Sequence, residues 1–523
     1  MTCNVNARLA KSFAGMGGAS ITLPQAGGPS AELRGWTALS AASRSPQPAF
    51  LTLLVASLAL ASLALAPAAR AEDPPHAGFL CDRFPLTVEP GERTEAAGPF
   101  FYSDVAGSAK TWAIPPLFAV SHIREADATE FRLLYPLVSY IRYGRQYRWH
   151  FLQFLSFAGG PTQTETKRSR ITLFPFYFQQ RSSDPAENYT AYGPFYGHLK
   201  GRLFRDEISY VMFPAYSETR KGDVATVNYF YPFFHVRQGA GLSGWQFWPL
   251  TGHEHKVVTT RTNRFHEVET VPGHDDWFVL WPLFFAHRGG IGSTNPAWQQ
   301  GVLPFYALAR SPQRDSTTLL WPLFSRVDDR EQKYREWDLP WPFVVSARGP
   351  GKHTSRVWPF YSHAYSSNFV SDFVLWPLYK HNRTRAAPLD SERTRILFYL
   401  HSDVTDYDTE SRASRRRVDL WPFFTYHREL NGNRRLQVLA LLESMFPDNP
   451  GIEREYAPIY SLWRWERNPK TGASSQSLLW NLYRRETTRD SRKVSALFGL
   501  YQRQTGPNGK RLSLFFVPLG GGP

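Results

Sequence analysis

The sequence contains few of the residues on which disulfide scaffolds and thiol chemistry depend. Only two cysteines and four methionines occur among 523 residues. Cys3 precedes a predicted processing site, so an exported chain would retain only Cys81. A single cysteine cannot close an intramolecular disulfide, and the composition therefore excludes a small disulfide-stapled fold.

Recognisable catalytic and nucleotide-binding motifs are also absent from the sequence. It has no G-x-S-x-G nucleophile turn and no H-E-x-x-H metal-binding helix. The glycine-rich stretch at 289–292 does not fit between a strand and a helix, as a phosphate-binding loop would. Acidic residues are spread over many turns, and no pair of carboxylates is singled out for acid–base chemistry. We therefore expect a non-enzymatic protein without a cofactor.

The first 71 residues have the features of an export signal behind a leader. An apolar run occupies 50–66, Arg44 precedes it, and Ala69-Arg70-Ala71 follows as a small-residue cleavage pattern. These are the three parts of a secretory signal peptide. We predict an unstructured leader at 1–47 and a signal peptide at 48–71. Because the apolar run approaches the roughly 18 residues that a membrane span needs, an uncleaved anchor is the alternative.

A short aromatic-proline phrase recurs through the rest of the chain, which is 15% aromatic and contains 40 prolines. The phrase reads L-W-P-L-F-F at 280–285, L-W-P-L-F-S-R at 320–326 and L-W-P-F-F-T-Y-H-R at 420–428. Its interval is about 19 residues, and copies without proline, such as I-L-F-Y-L at 396–400, keep that interval. We predict an N-terminal arm at 72–97 and one β-repeat domain at 98–523.

The repeated phrase predicts extended structure. Proline inside a helix costs about 3 kcal/mol, and aromatic and branched residues dominate each copy. Turn signals such as N-G-N at 431–433 separate the copies. One strand of about ten residues and one turn would fill each unit, which predicts an all-β fold, a long antiparallel β-meander of about twenty aromatic-proline strands. Because the proline would lie at the centre of each strand, we also expect a bulge or bend shared by all strands.

A meander of this length must protect its edges, and closure into a large barrel is one solution. An exported, cysteine-poor, aromatic-rich chain of strands and polar turns resembles, as a class, the outer-membrane β-barrels of Gram-negative bacteria. The resemblance implies an outer-membrane location, an apolar outer band and aromatic girdles. The apolar cores are short and the chain ends in F-F-V-P-L-G-G-G-P, so a soluble β-solenoid or propeller-like repeat body remains the alternative.

Basic residues follow the prolines at a regular distance, in a chain whose net charge beyond residue 71 is +11. If the strands are in register, these residues form two rows, at opposite ends of alternate strands. Such rows are a candidate site for lipopolysaccharide phosphates or an acidic glycan, because guanidinium groups bind phosphate in a bidentate manner. The competing interpretation is that they mark where strands leave an apolar layer. The candidate polyanion-binding residues are Arg288, Arg310, Arg326, Arg348, Arg428, Arg464, Arg485 and Arg503.

One histidine-rich stretch is a candidate metal site. The sequence G-H-E-H at 252–255 places His253 and His255 two residues apart, so that on a strand both imidazoles would project from one face. His266, Asp275 and Asp276 follow downstream. No spacing fixes a third ligand, and solvated loop histidines are the competing interpretation.

These features predict an exported, non-enzymatic protein of the cell envelope, located in the outer membrane or the periplasm. The first expectation is an outer-membrane β-barrel or barrel-like scaffold. The alternative is a soluble periplasmic or surface module that binds an anionic glycan or lipopolysaccharide. Envelope lipid or glycan is the expected partner, whereas nucleic acid is not, because exported chains rarely meet it and the aromatic residues recur at core spacing.

Overall fold

The computed structural model describes residues 78–162, 165–262, 266–507 and 509–519. The fold of these residues is all-β: 60% of them are in strands and 4% in helices. The predicted leader at 1–47, the signal peptide at 48–71 and residues 72–77 of the predicted arm lie outside the described residues. The rest of the predicted arm contributes the first two strands of the sheet, which therefore begins ahead of the aromatic-proline repeat.

Most strands of the described chain are five to eight residues long. In chain order they are β1 (Asp82–Pro85), β2 (Gly91–Ala96), β3 (Phe101–Ala106), β4 (Ala109–Ile114), β5 (Phe118–Ile123), β6 (Ala128–Leu133), β7 (Val138–Tyr143), β8 (Gln146–Phe151), β9 (Leu155–Gly160), β10 (Arg168–Leu173), β11 (Tyr177–Ser182), β12 (Tyr189–Tyr192), β13 (Tyr196–Arg202), β14 (Arg205–Val211), β15 (Tyr216–Lys221), β16 (Val224–Tyr229), β17 (Phe234–Gly239), β18 (Leu242–Phe247), β19 (Thr251–Lys256), β20 (Thr259–Thr262), β21 (Val268–Val271), β22 (Gly273–Val279), β23 (Phe284–Ile291), β24 (Ala297–Val302), β25 (Tyr306–Arg310), β26 (Arg314–Leu319), β27 (Phe324–Asp329), β28 (Tyr334–Asp338), β29 (Val344–Arg348), β30 (Lys352–Val357), β31 (Tyr361–Ser366), β32 (Phe369–Val374), β33 (Tyr379–Ala386), β34 (Leu389–Ile396), β35 (His401–Asp408), β36 (Ser414–Leu420), β37 (Phe424–Arg428), β38 (Arg434–Val438), β39 (Trp463–Arg467), β40 (Ser474–Leu478), β41 (Tyr483–Thr487), β42 (Arg492–Ala496), β43 (Tyr501–Gly506), β44 (Gly509–Leu514) and β45 (Val517–Leu519).

Helical structure is confined to short segments between strands. Two 3₁₀ turns occupy Gly98–Phe100 and Pro185–Glu187. A π-helical turn at Ile452–Tyr456 continues into a single α-helical turn, α1 (Ala457–Tyr460). Within the described residues, no helix has the length and apolar character needed to cross a membrane.

Forty-three strands form one sheet in which successive strands pair antiparallel. The one departure among the described strands is β19, which pairs with β22, while β20 and β21 form a separate two-stranded sheet. The prediction of a long antiparallel meander is confirmed, but the predicted number of about twenty strands is wrong. Each repeat is a hairpin, because two strands of about six residues with one short and one slightly longer turn fill the interval of about 19 residues.

The repeated proline lies between strands rather than inside them. Trp281 and Pro282 occupy the turn 280–283, which connects β22 to β23, and the peptide bond between them is cis. The prediction of a proline-centred strand with a shared bulge is therefore wrong. Proline has no N–H to donate to a β-ladder, whereas a β-turn with cis-proline at its third position accommodates it.

The alternate connections of an antiparallel meander lie at opposite edges of the sheet. We name one edge the apolar rim; it consists of 97–100, 115–117, 134–137, 152–154, 174–176, 193–195, 212–215, 230–233, 248–250, 280–283, 303–305, 320–323, 339–343, 358–360, 375–378, 397–400, 421–423, 439–462, 479–482, 497–500 and 515–516. We name the other the polar edge; its connections include 107–108, 124–127, 144–145, 222–223, 311–313, 330–333, 349–351, 367–368 and 409–413.

The two ends of the sheet meet face to face. Phe79 packs edge-on against Phe498, with 5.2 Å between the ring centroids. The Asn481 amide donates to Glu95 Oε2 at 2.6 Å. Within the described strands, β1 pairs only with β2 and β45 only with β44, so side chains rather than a backbone ladder join the two ends. We name this contact region the seam.

The seam extends inward from both ends of the sheet together. Behind the outermost contacts, the Tyr102 hydroxyl donates to the Arg454 carbonyl at 2.8 Å, and the Tyr456 hydroxyl donates to the Tyr135 carbonyl at 2.7 Å. As the contact moves along the chain from Glu95 to Tyr135, its partner moves back from Asn481 to Tyr456. The sheet therefore folds back on itself, like a strip whose two ends are laid face to face.

Strand register gives the sheet two distinct faces, because side chains directly opposite each other on paired strands share a face. The seam face carries Glu95 and continues through small and polar residues, among them the buried Ser217, Thr318 and Ser362. We name the opposite side the belt face. Beside the apolar rim it carries mainly aromatic and aliphatic side chains, such as Phe284 at the start of β23.

Candidate functional site

The apolar rim exposes large apolar side chains turn after turn. Trp281, Trp321 and Phe360 are 46%, 50% and 60% exposed. Apart from the longer connection 439–462, none of the rim turns named above contains Asp, Glu, Lys or Arg. Soluble proteins rarely expose a contiguous apolar patch larger than a few hundred Å². This succession of apolar turns, interrupted in the described chain only by 439–462, therefore has the character of an interaction surface.

In most rim turns that contain the W-P pair, the backbone N–H groups are hydrogen-bonded within the protein. In the turn 280–283, the Leu280 N–H donates to the Leu250 carbonyl at 2.6 Å and the Trp281 N–H to the Pro249 carbonyl at 2.6 Å. The Leu283 N–H closes the turn on the Leu280 carbonyl at 2.7 Å. Pro282, the remaining residue of the turn, has no N–H. Every backbone donor of this turn is thus satisfied, and two of the three bonds connect it to the preceding rim turn.

The same bonding recurs at other rim turns. The turns 320–323 and 375–378 each form the corresponding three bonds, with N···O distances of 2.6 to 2.9 Å. In both, the residue before proline donates to the carbonyl of the proline in the preceding rim turn. A proline at this position therefore removes a donor that would lack a partner while it supplies an acceptor to the next turn. Each of these rim turns is thus bonded to the rim turn one repeat earlier in the chain.

A belt of aromatic contacts adjoins the rim on the belt face. Tyr229, the last residue of β16, packs against Tyr216 with 5.6 Å between ring centroids. It also packs against Phe234, the first residue of β17, at 5.7 Å. Because these residues end or begin strands at the rim, the apolar surface continues from the turns onto the sheet by about one residue, or roughly 3 Å along the strand.

The polar edge has a different composition. Its connections include G-D at 222–223 and R-E-Q-K at 330–333. Side chains there bond to neighbouring loops; for example, Asp206 Oδ2 accepts from the Gly222 N–H at 2.6 Å. Phe204, which is 97% exposed, is a clear apolar exception. The sheet thus has one apolar and one largely polar edge.

The predicted basic residues all lie in strands that start at the rim, so they do not form two rows at opposite ends of alternate strands. Seven of the eight lie on the belt face, in strands that lead away from the rim, because each repeat is a hairpin and only its second strand follows the proline. Four of them are five residues into their strands, about 14 Å from the rim, and three are one pleat nearer, at about 7 Å. The outer group is Arg288, Arg310, Arg348 and Arg428, and the inner group is Arg326, Arg485 and Arg503.

Some of these seven arginines interact with other side chains of the described chain, and others do not. Arg310 donates to Thr317 Oγ1 at 2.7 Å, and the Arg326 guanidinium lies 4.8 Å from the centroid of the Trp337 ring. Arg288 and Arg348 are exposed, and neither forms an ion pair with any described residue. These two arginines are therefore available to a ligand outside the chain.

Arg464 is separated from the other predicted arginines. It lies on the seam face of β39, where its Nε donates to Ser461 Oγ at 2.7 Å. Burial and the neighbouring Arg93 lower the pKa of Arg464. This guanidinium is part of the seam, and the row of arginines on the belt face does not include it.

The seam also encloses Glu455, a fully buried carboxyl group in the connection 439–462. Its Oε2 accepts from the Tyr135 N–H at 3.3 Å, and its Oε1 lies 3.9 Å from the Arg132 guanidinium. Burial raises the pKa of Glu455 to about 7, although Arg132 opposes the shift. The charge of the seam therefore changes near neutral pH.

The predicted metal ligands lie on the belt face of β19, as their alternate spacing indicated. His253 Nε2 is 2.9 Å and His255 Nδ1 is 3.4 Å from the same oxygen, Asp275 Oδ1. Both histidine side chains are close to half exposed. The structure thus brings together the two predicted histidines and one of the two downstream aspartates. The other aspartate, Asp276, lies on the opposite face.

A second histidine–carboxylate group occupies the seam face of the same strands. Donor atoms of Glu254, His274 and Asp276 all lie within 4.8 Å of one another, and within the described chain no other group of three potential ligands does so. His287 contacts Asp276. The sequence pattern missed His274 and His287. The alternation of strand faces was a usable signal, but only with knowledge that β19 pairs with β22.

Comparison with known proteins does not identify a relative: no family model matches the chain, and no curated protein matches it.

Proposed function

We propose that this protein is an exported, non-enzymatic scaffold of the cell envelope that rests on a membrane through its apolar rim. The hydrogen-bonded, uncharged rim turns carry the proposal. In hydrocarbon every backbone N–H must find its partner within the protein, because no water is present to bond it. The turns 280–283, 320–323 and 375–378 meet this requirement. A protein partner can itself supply acceptors to such a surface, whereas lipid chains supply none.

The length of the strands supports a barrel-like scaffold over a spanning barrel. A strand of six residues, such as β24 or β31, extends about 20 Å, whereas transmembrane strands have about 9–11 residues. The hydrocarbon core of a bilayer is about 30 Å thick. Apolar side chains are concentrated at one end of each strand. Insertion of the rim into a single leaflet satisfies both features.

The side chains above the rim fit the membrane interface. Tryptophan and tyrosine prefer the headgroup level, and long basic side chains extend their charge toward it. Arg326, Arg485 and Arg503 lie about 7 Å above the rim. When the rim is inserted, these arginines are at the level of lipid phosphates, to which guanidinium groups bind. The partner is then envelope lipid, including lipopolysaccharide.

A second candidate function is a soluble periplasmic or surface module that binds an anionic glycan along the belt-face arginines. The exposure of Arg288 and Arg348 without ion-pair partners in the described chain favours it. In this case binding requires sulfate, phosphate or carboxylate groups and no lipid bilayer.

Vesicle flotation tests the membrane proposal. We expect the purified protein to float with vesicles of envelope phospholipid and lipopolysaccharide. Substitution of three rim residues, Trp281→Glu, Trp321→Glu and Trp376→Glu, should abolish flotation, because each charge would have to enter hydrocarbon at a cost of about 2.5–3.5 kcal/mol.

The matched control adds three charges at the polar edge, through Gln313→Glu, Gln332→Glu and Ser367→Glu. This variant should float as the wild-type protein does. If the wild-type protein stays with the soluble fraction, or if both triple variants lose flotation equally, the membrane proposal is wrong. Binding of the wild-type protein to a soluble acidic polysaccharide without vesicles would then support the second candidate.

A further inference from the structure

The site of interest lies where the chain leaves the meander and returns to it. Strand β19 pairs with β22 across the excursion 257–272, which contains the separate hairpin of β20 and β21. No other described neighbours in the main sheet have strands of a second sheet between them in the chain. Glu254 of β19 is directly opposite Asp276 of β22, which is in turn opposite His287 of β23. His274 lies two residues before Asp276. These four side chains therefore share the seam face of three adjacent strands, three of them at one level and His274 one pleat away.

The four side chains already contact one another. His274 Nε2 lies 2.8 Å from Glu254 Oε1, and His287 Nδ1 is in contact with Asp276 Oδ1. One donor atom from each of Glu254, His274 and Asp276 falls within a common distance of 4.8 Å. All four residues are partly buried.

Two glycines leave room for this group. Gly244 is paired opposite Glu254, and a Cβ atom at that position would lie 2.9 Å from Glu254 Cβ. Gly289 follows His287 on the same face of β23, and a Cβ atom there would lie 2.5 Å from His287 Nε2. A larger residue at either position would displace a donor. The absence of a side chain at Gly244 and Gly289 thus leaves space for Glu254 and His287 where they lie.

We propose that Glu254, His274, Asp276 and His287 bind a divalent transition-metal ion of the zinc class. Two imidazoles and two carboxylates form an N₂O₂ donor set, which suits Zn²⁺ and similar ions better than Ca²⁺ or Mg²⁺, which prefer oxygen alone. Zinc bonds to such ligands are about 2.0–2.2 Å long. The donors of Glu254, His274 and Asp276, which lie within 4.8 Å of one another, reach one ion through small side-chain rotations. His287, which contacts Asp276, supplies the fourth donor by moving toward the same ion.

Arg237 holds one of the ligands in place. Its NH1 lies 2.9 Å from Glu254 Oε1 and 2.6 Å from Oε2. A bond of this kind orients a metal ligand from behind and is a common feature of metal sites. The guanidinium also balances one of the two carboxylate charges when no ion is bound.

The bound ion would connect β19, β22 and β23 at the place where the meander is interrupted. The excursion 257–272 forms a separate two-stranded sheet of its own, so the pairing of β19 with β22 is maintained across a segment that does not join the main sheet. A metal ion bound by residues from three strands would cross-link them directly at this place. Its role is structural, and it adds a ligand to the scaffold without implying catalysis.

Metal binding is measured on the full chain, purified without a histidine tag, treated with EDTA and dialysed against Zn²⁺. We expect one ion per chain at the site and a higher Tm when Zn²⁺ is added, since a ligand that binds only the folded state stabilises it. The seam-face variant His274→Gln with Asp276→Asn should weaken this binding at least about tenfold and remove the rise in Tm. Substitution with Co²⁺ should give the visible absorption of a tetrahedral complex in the wild-type protein and not in the seam-face variant.

The matched control removes the same groups from the opposite face of the same two strands, through His253→Gln with Asp275→Asn. It should bind Zn²⁺ and shift in Tm as the wild-type protein does. The proposal is wrong if the wild-type protein binds no ion, or if the belt-face variant loses the ion while the seam-face variant retains it. Far-ultraviolet circular dichroism of each variant without metal shows whether it is folded, and His287→Gln alone serves as the second test if the double variant is not.

Discussion

The two edges of the sheet connect the same strands with different residues and different bonding. Strand β31 illustrates the contrast, since Phe360 precedes it at the apolar rim and Ser367 follows it at the polar edge. At the rim, turns contain aromatic, aliphatic and proline residues, and their backbone donors bond to the neighbouring turn. At the polar edge, short loops carry charged and amide side chains. One sheet thus has an edge suited to hydrocarbon and an edge suited to water.

The position of the repeated proline depends on the edge of the sheet, and strand geometry alone does not account for it. Turns at either edge reverse the chain, yet the repeated proline recurs only at the rim. In the rim turn 397–400 the proline position is occupied by Tyr399, which keeps an N–H that has no backbone acceptor in the described chain. Such a donor is harmless in water and costly in lipid. We infer that the proline serves the environment of the rim, in addition to the geometry of the turn.

Of the changes that compare the two edges, removal of rim prolines should have the largest effect on the free energy of unfolding. Pro282→Ala with Pro322→Ala introduces two N–H groups, and each should cost about 1–3 kcal/mol if it stays unpaired away from water. Pro312→Ala with Pro350→Ala at the polar edge should change the free energy of unfolding by about 0.5 kcal/mol or less per site, because water bonds the new donors. Urea unfolding of the vesicle-bound protein compares the two variants. Equal losses would mean that the proline has no relation to the environment of the rim.

A smaller effect separates the two groups of belt-face arginines. Removing the inner group, through Arg326→Gln, Arg485→Gln and Arg503→Gln, should weaken binding to anionic vesicles by up to about 1 kcal/mol per residue. Removing Arg288, Arg310 and Arg348 from the outer group should have a smaller effect, since attraction to the surface decays within a Debye length of about 10 Å at 0.1 M salt. Vesicle titrations at low and high salt give both affinities. If the outer group contributes as much or more, glycan binding along the arginines is favoured over a membrane interface.

The smallest predicted effect concerns the one rim connection that carries charge. Burial raises the pKa of Glu455 to about 7, from an ordinary value of 4.5. A raised pKa means that the folded state retains a proton that the unfolded state has released. Its stabilising contribution is therefore complete below pH 4.5 and is lost as the pH rises toward 7. Glu455→Gln removes this dependence, so the Tm of the variant should gain on that of the wild-type protein between pH 5 and pH 8.

Thermal melts of both proteins across this pH range test the assignment. Groups other than Glu455 titrate in both proteins and cancel in the difference. A difference in Tm that stays constant from pH 5 to pH 8 would show that Glu455 does not titrate with a raised pKa in the seam.

The sequence supports the class of fold but not its finer geometry. Extended structure and antiparallel order follow from aromatic residues, turn signals and the cost of proline in helices. The strand count was wrong because a ten-residue strand was placed over each W-P phrase, although the exclusion of proline from central strands already favours a turn at that position. A unit of about 19 residues then contains two strands of about six residues.

The seam and the metal-binding group depend on contacts that no local pattern encodes. Glu95 meets Asn481 only because the whole sheet folds back on itself. The predicted histidines, His253 and His255, were placed correctly on one strand face, but Glu254 between them belongs to the other face. Its partners, His274 and Asp276, follow from the pairing of β19 with β22, which a separate hairpin interrupts.

Depth measurement at the two ends of one strand tests the central claim most directly. In a chain with Cys3→Ser and Cys81→Ser, Phe360→Cys and Ser367→Cys each receive an environment-sensitive fluorophore, and vesicles with lipid-attached quenchers are added. We predict a blue shift and quenching of the label at residue 360 and neither change at residue 367. Quenching at both residues, or at residue 367 alone, would contradict insertion by the apolar rim, and no change at either would mean that the rim does not enter the membrane.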